Sequence, residues 1–76
     1  MDLDNLIVMA NKIGQFFAAQ PDRDDALAGI AEHVKKFWEP RMRTQILAAV
    51  GTEEGAGLSD IVAAALTTHR ATLQPK

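Results

Sequence analysis

Apolar residues recur at three- and four-residue steps along most of this chain, and they never settle into a two-residue alternation. Leu3, Leu6, Ala10, Ile13 and Phe17 form the first stripe, and Met9 and Phe16 widen one flank of it. Such a repeat keeps one side of a helix apolar, so the spacing predicts a helix from Leu3 to Ala19. Asp2 or Asp4 can cap its first turn, where carboxylates also complement the helix dipole. Gln20-Pro21 ends it, because the residue before a proline disfavours the α region.

A second helix is predicted to begin behind Asp22, a natural N-cap, with Asp24 and Asp25 in its first turn. Leu27, Ile30, Ala31, Val34, Phe37 and Trp38 make its stripe, and Lys35 and Lys36 fall in the last turn, where cations suit the carbonyl end. Pro40 stops this helix and opens a third, since proline is favoured at the first helical position. Met42, Ile46, Ala49 and Val50 share a side there, and Gly51 fits a C-cap. GTEEGAG reads as an exposed loop. A fourth helix starts near Ser59, with Asp60 in its first turn and Ile61, Val62, Ala65 and Leu66 on one stripe together with His69. The tail ATLQPK is expected to fray. The sequence therefore predicts an all-α fold: one small domain, residues 1–76, built as a bundle of three to four short helices.

Composition then limits what such a bundle can do. A chain of 76 residues buries only about 60% of its unfolded surface. Small scaffolds of this kind draw on disulfides, metals or a partner for stability. With no cysteine and two isolated histidines, His33 and His69, disulfides, thiolate metal sites and iron–sulfur ligation are excluded, which leaves a partner. A net charge of −2 lacks the basic footprint by which a general nucleic-acid binder releases counterions. No apolar run approaches the roughly 20 residues needed to span a bilayer. The acidic start MDLDN is unlike the basic region of a secretory signal, so a soluble, cytoplasmic chain is expected.

An enzyme needs a nucleophile, an acid/base pair or a cofactor cradle, and each is missing or weak in this sequence. The glycines at 51, 55 and 57 neither follow a strand nor precede a Lys-Ser/Thr pair, so they make no phosphate loop. Asp22, Asp24 and Asp25 are accounted for by the helix start. His69 on an apolar stripe is expected to be a partly buried histidine, and His33, off the core stripe, a solvated one. No catalytic, cofactor-binding or metal-binding residue is assigned in this chain.

One stretch is denser than the rest. KKFWEPRMR, residues 35–43, holds the only Trp beside a proline and sets Lys35, Lys36, Arg41 and Arg43 against the single carboxylate Glu39. Trp and Arg are enriched at interface hot spots. The corner is expected to turn Phe37 inward, to leave Trp38 at the edge as an apolar anchor, and to point Arg41 and Arg43 outward from a corner fixed by Pro40. Gly29 lies away from the centre of the second stripe, where a glycine costs about 1 kcal/mol relative to alanine. Close approach of another backbone would explain it, as would simple drift. Trp38, Pro40, Arg41, Arg43, Gly29 and His33 are the candidate partner-binding residues.

Met9-Ala10-Asn11 with Ile13, Phe16-Phe17, Pro21, Gly29-Ile30-Ala31, His33 and the Phe37-Trp38-x-Pro40-Arg41-Met42-Arg43 run together resemble the small delta subunit of the soluble, NAD-dependent, molybdenum- or tungsten-containing formate dehydrogenases. The resemblance covers roughly residues 6–48, with a weaker echo at Gly57-Leu58 and Ile61-Val62. It implies a non-catalytic accessory subunit of a large cytoplasmic complex, docked on the catalytic (alpha) subunit and assisting assembly, cofactor loading or stability. It places bis-molybdopterin guanine dinucleotide, iron–sulfur clusters and FMN in the partner subunits, and implies neither nucleic acid nor membrane as a partner. The rival reading is a free-standing helical adaptor or a DNA-associated regulatory protein.

Overall fold

Side-chain caps and prolines set the helix boundaries in the computed structural model, which describes residues 2–75. Met1 and Lys76, the last residue of the tail expected to fray, lie outside the described residues. Helix α1 spans Leu3–Phe17, and Asp2 Oδ1 accepts a hydrogen bond from Asp4 N–H at 3.4 Å. It stops slightly earlier than the periodicity suggests: Ala18 is the C-cap, and Gln20 N–H turns back to the Phe17 carbonyl at 3.0 Å. Helix α2 spans Arg23–Phe37, with Asp22 Oδ1 accepting from Asp25 N–H at 3.2 Å.

Glu39 is held extended, with ψ 154°, as the following proline ring requires. Helix α3, Pro40–Ala49, starts on that proline. Gly51 then takes φ +82°, the left-handed conformation that ends many helices and that a Cβ would penalise. Thr52 closes the turn, donating to the Ala49 carbonyl from both its N–H, at 3.0 Å, and its Oγ1, at 2.6 Å. The segment expected to be an exposed loop contains a 3₁₀ turn at Glu53–Gly55. Gly55 is buried there, pressed against the Ala49 carbonyl with no room for a side chain.

Helix α4, Asp60–Thr68, begins after Ser59 as expected, but the Ser59 side chain makes no capping bond. Asn11 of α1 does the pinning. Its Oδ1 accepts from Ser59 N–H and its Nδ2 donates to the Gly57 carbonyl, both at 2.9 Å. His69 is half-buried and carries the break between α4 and a final short helix, α5, at Arg70–Leu73.

That last helix corrects the expectation of a fraying tail. Leu73 is 0% exposed and sits inside the main core. Two long cations tie the segment down: Lys35 Nζ donates to the Thr72 carbonyl at 3.1 Å, and Arg70 Nη2 donates to the Leu47 carbonyl at 3.0 Å. The second bond satisfies a carbonyl in the last turn of α3, which has no intrahelical partner. A tail of mixed polarity reads as loose in sequence because its single large apolar residue gives no period.

Helix α2 runs between α1, α4 and α5 and packs on all three. The largest fully buried side chains are Leu6 of α1, Ile30 and Val34 of α2, Ile46 of α3, Val62 and Leu66 of α4 and Leu73 of α5. The main cluster joins all five helices. A smaller one, Leu27, Ile30 and Ala65, lies beside it, with Ile13 and Ile61 touching both. No strand occurs among the described residues, and the fold is all-α. No described helix is long and apolar enough to cross a membrane.

Candidate functional site

The stretch 35–43 folds differently from its expected arrangement. Trp38 is buried in the main core, 6% exposed, alongside Leu6, Val34, Ile46 and Leu47, whereas Phe37 is 67% exposed. The inward and outward aromatics are thus exchanged relative to the sequence reading. The helical wheel explains why. At 3.6 residues per turn Trp38 projects about 30° from the centre of the Leu27, Ile30, Ala31 and Val34 stripe, and Phe37 about 70° from it. A chain that turns just after residue 38 can bury only the residue nearer that centre.

The six candidate residues do not make one surface. Pro40 and Arg41 border a shallow depression with Glu39, Met42 and Gln45. Arg41 is exposed and Arg43 half-buried. Arg43 turns instead toward the C-terminal segment, lining a second depression with Lys35, Thr72, Gln74 and Pro75, and its Nε is buried without a hydrogen-bond partner among the described residues. Gly29 and His33 lie elsewhere, on the flank of α2 that faces the end of α1.

On that flank the aromatic residues gather. Phe16 and Phe17 meet edge-on, with ring centroids 5.1 Å apart. Phe17 lies 6.4 Å from His33, and His33 lies 4.8 Å from Phe37. The result is a continuous row, Phe16, Phe17, His33 and Phe37, running from α1 across to α2. Phe17 and His33 are half-buried, while Phe16 is 75% exposed. His33, expected to be solvated, is packed between two rings.

Gly29 lies beneath this row. A Cβ built on it would come within 2.5 Å of Phe17 Cε1. The missing side chain is therefore explained by a ring of the same chain, not by a second backbone. Shallow depressions flank the row. One is lined by Lys12, Ile13, Phe16, Phe17 and His33, the other by Phe17, Gly29, Glu32, His33, Lys36 and Phe37.

The sequence reading missed Phe16, Phe17 and Phe37 as one surface feature because it treated all three as core. A signal was present: His33 and Phe37 are four residues apart, so they stack on one flank of a helix, and that flank is offset from the Leu27–Val34 stripe. Among the described residues, no group of three or more His, Cys, Asp or Glu side chains is arranged to hold a metal ion. The surface offers exposed apolar area bordered by cations.

A family model described as NADH-dependent formate dehydrogenase delta subunit FdsD matches residues 5–66. No curated protein and no solved structure matches the chain. The matched span takes in most of α1, all of α2 and α3 and most of α4, and with them every residue of the aromatic row and of the α2–α3 corner. The chain belongs to the delta subunit family of the NADH-dependent formate dehydrogenases.

Proposed function

We propose that this chain is a non-catalytic accessory subunit that docks on the catalytic subunit of a cytoplasmic molybdenum or tungsten formate dehydrogenase. There it supports assembly, cofactor loading or stability of the complex. The family match over residues 5–66 carries the reading. The surface agrees with it: a small chain that leaves two phenylalanines largely in water has apolar area left for a partner. In this reading bis-molybdopterin guanine dinucleotide, the iron–sulfur clusters and FMN reside in the partner subunits. They carry formate oxidation and electron transfer to NAD, and the present chain contributes binding surface only.

The test is a tagged pull-down from native cells, with identification of the bound chains and metal analysis, beside formate oxidation in a strain lacking this chain. The expected result is recovery of a large iron–sulfur subunit, together with loss of activity or of molybdenum or tungsten from the enzyme in the deleted strain. Recovery of the chain without any formate dehydrogenase subunit, combined with full enzyme activity in its absence, would overturn the reading. Salt-sensitive retention on DNA in that case would point to the regulatory alternative.

A further inference from the structure

The exposed aromatic face has the pattern of a docking helix. On α1 the apolar residues Met9, Ile13 and Phe16 follow one another at four- and three-residue steps, on the flank away from the Leu6–Ala10 core line. Met9 and Phe16 are exposed and Ile13 is half-buried. Anchors at such spacing mark helices that lie in a partner's apolar groove. Helix α2 extends the same face with His33 and Phe37, joined to Phe16 through the Phe17 ring.

Charge around this face differs from that of the whole chain. Lys12 and Lys36 border it against Glu32 alone, on a protein whose net charge is −2. Lysines beside apolar anchors favour a partner that places carboxylates at the rim of its groove. A second copy of the chain is a poor occupant. The two exposed rings, Phe16 and Phe37, together offer roughly 200–350 Å², a minority of the about 800 Å² per partner in a standard stable interface, so the occupant has to reach well beyond them. In a two-fold contact the two lysines of each copy would also meet a rim that holds a single carboxylate, Glu32. A larger subunit can surround the row with further contacts and supply the missing area.

We propose that the face formed by Met9, Ile13 and Phe16 of α1 with His33 and Phe37 of α2 is the surface by which this chain docks on the larger formate dehydrogenase subunit. That subunit receives Phe16 and Phe37 in an apolar groove rimmed by carboxylates that meet Lys12 and Lys36. The inference rests on the accessory-subunit reading above and replaces its anchor: Trp38 holds the core, and the exposed phenylalanines take the docking role.

The experiment compares the tagged wild-type chain with Phe16→Ser/Phe37→Ser and with Arg41→Ala/Arg43→Ala in the same pull-down. Circular dichroism melts of the isolated chains accompany it. The serine pair removes exposed rings, so helicity should persist while affinity for the large subunit falls by at least about thirtyfold, the scale of a hot spot. The arginine pair should bind nearly as wild type. Lys12→Glu/Lys36→Glu should weaken the complex most at low salt. Hydrogen exchange on the wild-type complex needs no variant: protection should rise over residues 9–17 and 33–37.

Three results would overturn the proposal. One is wild-type recovery of the large subunit by the serine pair. Another is protection confined to residues 39–45. The third is a concentration-dependent dimer of the isolated chain that the serine pair abolishes. If the wild-type chain itself recovers no formate dehydrogenase subunit, the accessory-subunit reading fails, and this inference falls with it by a separately visible route.

Discussion

The ring of Phe17 fills the space beside Gly29: a Cβ there would approach its Cε1 to 2.5 Å and its Cδ1 to 2.6 Å. Helix α1 thus covers the flank of α2 at the one position where α2 carries no side chain. The glycine is kept off the helical average in propensity so that the two helices can close together.

This contact fixes the sign of a substitution. Gly29→Ala adds about 1 kcal/mol of helix propensity, but it forces the Phe17 ring aside, and overpacking of this kind costs about 1–3 kcal/mol. The net effect should be destabilising in the wild-type chain. In a Phe17→Ala background the same change should stabilise by about 1 kcal/mol. Urea denaturation of the four proteins in a double-mutant cycle measures this. Equal effects of Gly29→Ala in the two backgrounds would show that Phe17 does not constrain residue 29.

The neighbouring aromatics Phe37 and Trp38 should respond in opposite ways. Trp38 is 6% exposed, and truncating it to alanine should cost about 3–5 kcal/mol. A chain of this length has roughly 4–11 kcal/mol in all, so Trp38→Ala should lose a large share of the total and melt well below the wild type. Phe37→Ala, at an exposed position, should stay within about 0.5 kcal/mol of wild type. Melts followed by circular dichroism separate the two. Because Trp38 is the only tryptophan, wild-type emission should also shift to the red on unfolding.

The Asn11 carboxamide is the clasp between α1 and the start of α4. It makes one bond through each of its polar atoms, to Gly57 and to Ser59, at 2.9 Å each. Asn11→Ala removes both bonds, one exposed and one part-buried, and should cost about 0.5–1.5 kcal/mol. Asn11→Asp keeps the acceptor for Ser59 N–H but sets a carboxylate against the Gly57 carbonyl, so it should not restore wild-type stability. Amide exchange over residues 57–62 reports the effect locally, and it should quicken in both variants. Unchanged exchange there would mean that α4 is positioned by its apolar face alone.

Local chemistry made much of this molecule legible in the sequence. Asp22 caps α2, Pro40 opens α3 and Gly51 takes a positive φ, each for reasons contained in the residue and its immediate neighbours. The core line Leu27, Ile30, Ala31 and Val34 is fixed in the same way, by the period of the helix that carries it.

What tertiary structure decided lies where the local signal is weak or shared. Phe37 and Trp38 are adjacent, and both sit near the stripe of α2. The helical wheel favours Trp38 by about 40°, but it is the turn after residue 38 and the packing of α1 and α3 that let only one of the two enter the core. Leu73 is isolated in a polar tail, and its burial depends on a site built by helices distant in sequence. Gly29 has no local reason to be a glycine, since its cause is a ring twelve positions away on another helix. The candidate face belongs to the same class. The sequence by itself determined which residues are helical and which side of each helix is apolar, because both follow from backbone period and short-range capping. Which apolar residues stay in water was settled by the arrangement of helices: Phe16 and Phe37 are exposed because the interhelical space is already filled by Phe17, Trp38 and Leu73.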